Sequence, residues 1–193
     1  MEDTVFSLPL HQIKVMQICS MALFCGSRFG EDPVFKLHAA EICEILAKQK
    51  VTVVYGGADR GLMQTVANST LEHKGKVIGV IPQILKDIEL QHDGLTELHI
   101  TENMHHRKML LFEKCDAAVV LPGGFGTLDE MFEMLTWNQL EIHDKPLFLM
   151  NTNGFYNHLI AHIHHLYASG FLYHSPWEKI KVLNQPQELR TYL

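Results

Sequence analysis

The run Pro122-Gly123-Gly124-Phe125-Gly126-Thr127-Leu128-Asp129-Glu130 puts three glycines, a hydroxyl and two carboxylates within nine residues. It follows the short apolar stretch Ala117 to Leu121 and opens into a helical pattern. That is the layout of a strand, a glycine turn and a helix N-terminus. Glycines let the backbone approach a ligand closely, and the first-turn N–H groups of a helix are free to bind an anion. Thr127 places a hydroxyl where a helix usually wants a cap. Glu130, about one turn in, can face whatever the loop holds. A phosphate cradle beside a carboxylate points to chemistry on a phosphorylated small molecule.

Other reactive side chains need weighing against plainer roles. Arg107-Lys108, preceded by His105 and His106, is the densest basic group, and reads equally as an ordinary helix-surface pair. Glu130 and Glu133 fall on one side of a helix, which is also the pattern of a solvated face. His158, His162 and His165 share a helical face without a further ligand at matching spacing, so a polar outer stripe explains them and no metal site is expected. The glycine loop is not a Walker A sequence, because no Lys-Ser/Thr follows it. Nor is it a dinucleotide fingerprint, which opens the first strand-helix unit of its fold.

The elements that must position these groups alternate along the chain. Ile18 to Phe24 reads as a buried strand ending in Cys25-Gly26-Ser27. Phe35, Ala39, Ile42 and Leu46 mark a helix, and Val51 to Tyr55 a second strand ending in Gly56-Gly57. Gly61 to His73 is a helix and Lys76 to Ile81 a strand closed by Pro82. Residues 83 to 94 read as irregular, Leu95 to Ile100 as a strand, and Glu102 to Lys114 as the helix carrying Arg107 and Lys108. After the glycine loop, Leu128, Met131, Phe132 and Leu135 form an apolar stripe. Pro146 to Met150 is a strand, Phe155 to Leu166 a helix, and Ile180 to Leu183 a last short strand before a helical turn. Alternation of this kind predicts a doubly wound, Rossmann-like α/β fold: a parallel sheet with helices on both faces, in one domain over 1–193. Ligands of such sheets bind beyond the strands' carboxyl ends, near the point where strand order reverses.

Bulk composition sets limits on function. The 193 residues are 47% hydrophobic and 20% charged, ordinary for a globular protein. A net charge of −6 argues against a broad nucleic-acid face. Cys19, Cys25, Cys43 and Cys115 are scattered, as expected of reduced thiols in a cytoplasmic protein. Val15 to Cys25 has the apolarity of a signal-peptide core, but Gln17 and Ser20 interrupt it and Phe24 is too bulky for a cleavage site. No stretch reaches the roughly 18 uninterrupted apolar residues of a membrane span.

Met104-His105-His106-Arg107-Lys108, followed by the Pro122 to Glu130 motif, resembles the LONELY GUY family. These are cytokinin riboside 5′-monophosphate phosphoribohydrolases, often under an older lysine decarboxylase label. The resemblance spans roughly residues 17 to 175. It takes in Cys25-Gly26-Ser27, Gly61-Leu62-Met63, Ile78-Gly79-Val80-Ile81-Pro82, Thr136-Trp137 and His143-Asp144-Lys145-Pro146. It implies that Arg107 and Glu130 are catalytic, and that Glu89, Lys108, Gly123, Gly124, Gly126, Thr127 and Thr136 bind substrate. It implies hydrolysis of a nucleoside 5′-monophosphate, a cytokinin ribotide or AMP, to free base and ribose 5-phosphate without metal or redox cofactor. It also implies a homodimer, with the helix carrying Thr136-Trp137 near the interface.

The side chains suit that chemistry. N-glycosidic cleavage builds positive charge on the ribose, which a carboxylate can stabilise while it orients water. Arg107 could keep Glu130 ionised or hold the phosphate. Three departures from the family pattern bear on base preference: Gly56 to Gly61 in place of a triple glycine, Gln64 for a glycine, and Ser27-Arg28 for paired serines. Two other readings stand beside the hydrolase. A nucleotide or molybdenum-cofactor carrier on the same fold would bind without turnover. A lysine decarboxylase would need pyridoxal phosphate on a lysine and show its absorbance band.

Overall fold

The computed structural model describes residues 17–86 and 91–193. Seven parallel strands form one sheet: β1 Ser20–Phe24, β2 Thr52–Tyr55, β3 Val77–Pro82, β4 Glu97–Thr101, β5 Ala117–Val120, β6 Leu147–Met150 and β7 Ile180–Leu183. Six α-helices lie between them: α1 Val34–Lys48, α2 Gly61–Glu72, α3 Gln83–Lys86, α4 Met104–Glu113, α5 Phe125–Gln139 and α6 Asn157–Ala168. The strand order is β4-β3-β2-β1-β5-β6-β7. The chain therefore winds outward one way from β1 and the other way from β5, and the order reverses between these two central strands. This is the Rossmann-like fold expected from the alternating pattern.

Strand alternation divides the core. Met21 and Leu23 of β1 and Ala117 and Val119 of β5 face α1, α2 and the C-terminal segment, meeting Ile42, Leu46, Leu62 and Val66. Ala22, Phe24, Ala118 and Val120 face the other way, onto Phe112 of α4, Met131 and Met134 of α5 and Ile163 of α6. Both faces of the central strands are buried, so these segments read as continuous apolar runs. Asp116 fixes the entry to the two central strands: its Oδ2 accepts the N–H groups of Cys19 and Ser20 at 2.8 and 2.9 Å and the Ser20 hydroxyl at 2.9 Å.

Element ends differ from the sequence reading for local reasons. The helix expected from Glu102 begins at Met104, because the Asn103 side chain caps it by accepting the His106 N–H at 2.8 Å. The stretch from 83, expected to be irregular, starts with one helical turn, α3, and Gln91 bridges Ala58. Phe155 precedes α6 and packs edge-on to Phe35, with centroids 5.4 Å apart. The last segment, 186–192, is a 3₁₀ helix. Of the apolar stretch from Val15, residues Ser20–Phe24 form the central strand β1. Among the described residues, no helix is long and apolar enough to cross a membrane.

Candidate functional site

The turn after β1 and the turn after β5 meet where the strand order reverses. The Gly26 N–H donates to the Pro122 carbonyl at 3.1 Å, and the Gly26 carbonyl accepts the Leu62 N–H at 3.1 Å. Three turns are thus tied into one crevice at the strands' carboxyl ends. The buried Tyr156 hydroxyl donates to the Leu121 carbonyl at 2.7 Å and steadies the exit of β5.

The glycine turn is shaped differently from the sequence expectation at one point. Gly124, not Thr127, occupies the N-cap position of α5, and Thr127 is the third helical residue, buried, with no capping hydrogen bond from its side chain. Thr127 instead packs under the turn. A Cβ on Gly123 would sit 2.1 Å from Thr127 Oγ1 and 2.9 Å from the Gly26 N, so only glycine admits this approach. Cβ positions on Gly124 and Gly126 meet nothing within 4 Å, which leaves the helix N-terminus open to a ligand. Phe125 between them is 93% exposed.

Three ionic contacts link α4 to α5 beside this turn. Arg107 Nη1 lies 3.6 Å from Glu130 Oε1, and Arg107 Nε donates to the Val80 carbonyl at 3.1 Å. Gly56, at the end of β2, makes room: a Cβ there would fall 2.4 Å from Arg107 Nη2. The next contact outward joins Lys108 Nζ to Glu133 Oε2 at 2.7 Å and Asp129 Oδ2 at 3.2 Å. Consecutive helical residues point about 100° apart, which sends Arg107 and Lys108 to different partners. Asp129 and Glu133, four apart on α5, form one carboxylate clamp. The solvated-face alternative for Glu130 and Glu133 fails: Glu130 is 8% exposed and Glu133 half-buried. Lys108 is held above its usual pKa, first by Glu133 and then by Asp129.

Burial dominates the electrostatics of Glu130. Arg107 and Lys108 lower its pKa while Asp129 and Glu133 raise it, and desolvation outweighs them all, carrying it to about 7. Arg107 does pair with Glu130 and favour its ionised form, but burial offsets that pull. The carboxyl group titrates near neutrality, where general acid–base groups work best. Cys25 lies close by, but burial and the Glu130 charge push its thiol well up, so it is no nucleophile.

Arg107, Glu130, Gly123, Gly124, Gly126, Thr127 and Lys108 therefore come together. Thr136 does not join them within this chain. Six residues beyond Glu130 on α5, it stands about 9 Å along the axis and on another side of the helix. Its exposed hydroxyl donates to the Phe132 carbonyl at 2.7 Å. Glu89 lies outside the described residues. Sequence reasoning missed the clamp on Lys108, although the i,i+4 spacing of Asp129 and Glu133 was its signal. The space that Gly56 leaves for Arg107 had none.

Two cavities flank α5. The smaller, about 260 Å³, is bounded by Gly123 and Gly124 on one side and by Gly26, Arg28, Phe35 and Phe155 on the other. The larger, about 600 Å³, lies between α5 and α6, with Phe132, Thr136, Ile163 and Leu166 among its walls. Phe132, expected on the apolar core stripe, is partly exposed there. His158, His162 and His165 are exposed on α6. No group of three or more metal-ligating side chains occurs among the described residues.

Fold and site together define an α/β protein with an open glycine turn at a helix N-terminus and a buried carboxyl group whose pKa lies near neutrality. A family model described as "possible lysine decarboxylase" matches residues 63–193. The cytokinin riboside 5′-monophosphate phosphoribohydrolase of Rhodococcoides fascians is 44% identical over 154 residues, covering 79% of this chain and 78% of that protein. An Arabidopsis thaliana protein of the same description is 37% identical over 173 residues, covering 90% and 79%. Among solved structures, the molybdenum cofactor binding protein of Rippkaea orientalis superposes with a TM-score of 0.69 at 18% identity, covering 91% of this chain and 95% of that one. The molybdenum cofactor carrier protein of Chlamydomonas reinhardtii gives 0.68 at 15% identity, covering 91% and 98%. At such identities these two show a shared fold alone. The chain belongs to the LONELY GUY family, the one that carries the lysine decarboxylase description.

Proposed function

We propose that this protein hydrolyses the N-glycosidic bond of a nucleoside 5′-monophosphate, a cytokinin ribotide or AMP, releasing free base and ribose 5-phosphate. The observation that carries this reading is the buried Glu130, paired to Arg107 and placed behind an open helix N-terminus. The N-terminal N–H groups of α5 hold the 5′-phosphate, and that anchorage fixes the ribose against the carboxylate. As the C1′–N bond breaks, its electron pair leaves with the base and positive charge grows on the ribose. Ionised Glu130 stabilises that charge and takes a proton from the water that forms the new C1′–O bond, and that proton passes to the departing base nitrogen, so that neutral base leaves and Glu130 is ionised again. Arg107, tied to the Val80 carbonyl, keeps Glu130 oriented. Lys108 reaches an incoming ligand only by leaving one of its two carboxylates. A cofactor carrier would need none of this buried acid–base pairing. Incubation with AMP and with isopentenyladenosine monophosphate tests the reading, with chromatography of the products. Equimolar base and ribose 5-phosphate are expected, and intact nucleotide from both substrates would overturn it.

The same reading includes a homodimer formed through the α5–α6 face. Phe132 lines the larger cavity, and Leu140, Ile142, Phe171 and Tyr173, also exposed apolar side chains, are chain neighbours of its lining residues, more than a solvated surface usually presents together. A second copy covering this face gives Thr136 a substrate to touch, the partner's, which its own chain denies it. Three of the four cysteines are buried and all four are free, which supports a cytoplasmic location.

A further inference from the structure

Resting on the hydrolase reading, we infer that Arg28 is a phosphate-binding residue, supplying the positive charge opposite the 5′-phosphate from the α1 side of the glycine turn. A 5′-phosphate near neutral pH carries close to two negative charges, and helix N–H groups supply only a fraction of one positive charge. A cation beside the turn would offset the charge that remains. The two obvious candidates are engaged elsewhere. Arg107 is spent on Glu130 and the Val80 carbonyl, and Lys108 sits between Glu133 and Asp129. Arg28 has no carboxylate partner among the described residues, and it borders the smaller cavity together with Gly123 and Gly124.

The backbone holds Arg28 at this spot. Gly61 has a φ of +53°, and a Cβ there would fall 2.4 Å from the Arg28 N and from the Ser27 carbonyl carbon. The Ser27–Arg28 peptide therefore lies flat against the N-terminus of α2, in a contact that any larger residue would break. The hydrogen bonds of Gly26 to Pro122 and Leu62 lock the same turn to the glycine loop. Next to Arg28, Phe29 is occupied by Lys36, whose Nζ stands 5.3 Å from the ring centroid, and Phe35 with Phe155 gives the cavity an apolar wall. An arginine with no carboxylate partner among the described residues, on a fixed turn that borders this cavity beside Gly123 and Gly124, is suited to bind a phosphate bidentately.

Calorimetric titration with ribose 5-phosphate tests this without requiring turnover. Arg28→Ser should weaken binding about ten- to a hundredfold, the range of a lost charge-assisted contact, and Arg28→Lys should recover most of the loss. Because Arg28 is exposed, the thermal midpoint should stay unchanged. Unphosphorylated ribose, run as a control ligand, should bind wild type and Arg28→Ser equally. Retention of affinity within threefold in Arg28→Ser, or equal loss for both ligands, overturns the assignment. A wild-type chain that binds ribose 5-phosphate but leaves AMP intact would sink the hydrolase reading alone. A wild type that does not bind ribose 5-phosphate would sink both.

Discussion

Replacing Glu130 with glutamine should remove a loss of stability that the wild type suffers as pH rises through neutrality. The carboxyl group has a pKa of about 7 in the fold against 4.5 as its ordinary value. Folded chain thus binds more protons than unfolded chain between those two values, and stability falls as pH rises through that window. Integrated from pH 5 to pH 8, the wild-type loss from this one group is on the order of 2–3 kcal/mol. Glutamine keeps the shape and removes the titration. It also leaves Arg107 with the Val80 carbonyl but no carboxylate anion, which wild type likewise lacks at pH 5 and regains by pH 8, a pairing already contained in the pKa. The difference in unfolding free energy between Glu130→Gln and wild type should therefore move by roughly 2–3 kcal/mol in the variant's favour from pH 5 to pH 8. Urea titrations at several pH values, with m-values compared, measure it. A difference that stays constant, or that moves toward wild type, would show that Arg107 outweighs burial and that the carboxyl group is a permanent anion.

Three further outcomes follow from the same geometry. The kcat/KM for base release should rise about tenfold per pH unit up to about pH 7 and then level off, as ionisation of Glu130 requires; a profile flat from pH 5 to pH 8 contradicts it. Gly123→Ala should cost about 1–3 kcal/mol in a denaturation experiment, because its Cβ collides with Thr127 and Gly26, whereas Gly124→Ala should leave stability unchanged and raise KM, its Cβ standing in the open approach to α5. Leu140→Asp, on the exposed apolar face, should convert a dimer to a monomer in analytical ultracentrifugation; a wild-type monomer would remove the dimer from the account.

The strands were legible because they are buried on both faces and leave unbroken apolar runs, as in Ala117 to Leu121. Helix starts were less so: Asn103 decides where α4 begins through a single side-chain hydrogen bond. The cluster of Arg107, Glu130 and the glycine turn could be read from motif spacing, since β1, β2 and β5 end at the same edge of the sheet. What spacing could not supply was environment. Glu130 and Glu133 have the same residue type and lie three apart on one helix. Yet one is buried against β-sheet with a pKa near neutrality, and the other clamps a lysine at the helix surface. Nor could spacing place Phe132, whose apolar character fits the core stripe while its position on α5 turns it toward the open cavity. Arg28 stood out in the sequence only as a departure from paired serines. Its lack of a carboxylate partner becomes visible once Arg107 and Lys108 are seen to be engaged.

The rate of base release from AMP by Glu130→Gln, set beside wild type at pH 8, tests the central claim most directly. The account predicts that kcat/KM falls by about a thousandfold or more, with binding of ribose 5-phosphate retained. A variant that releases base within tenfold of the wild-type rate would contradict it and move the acid–base role off Glu130.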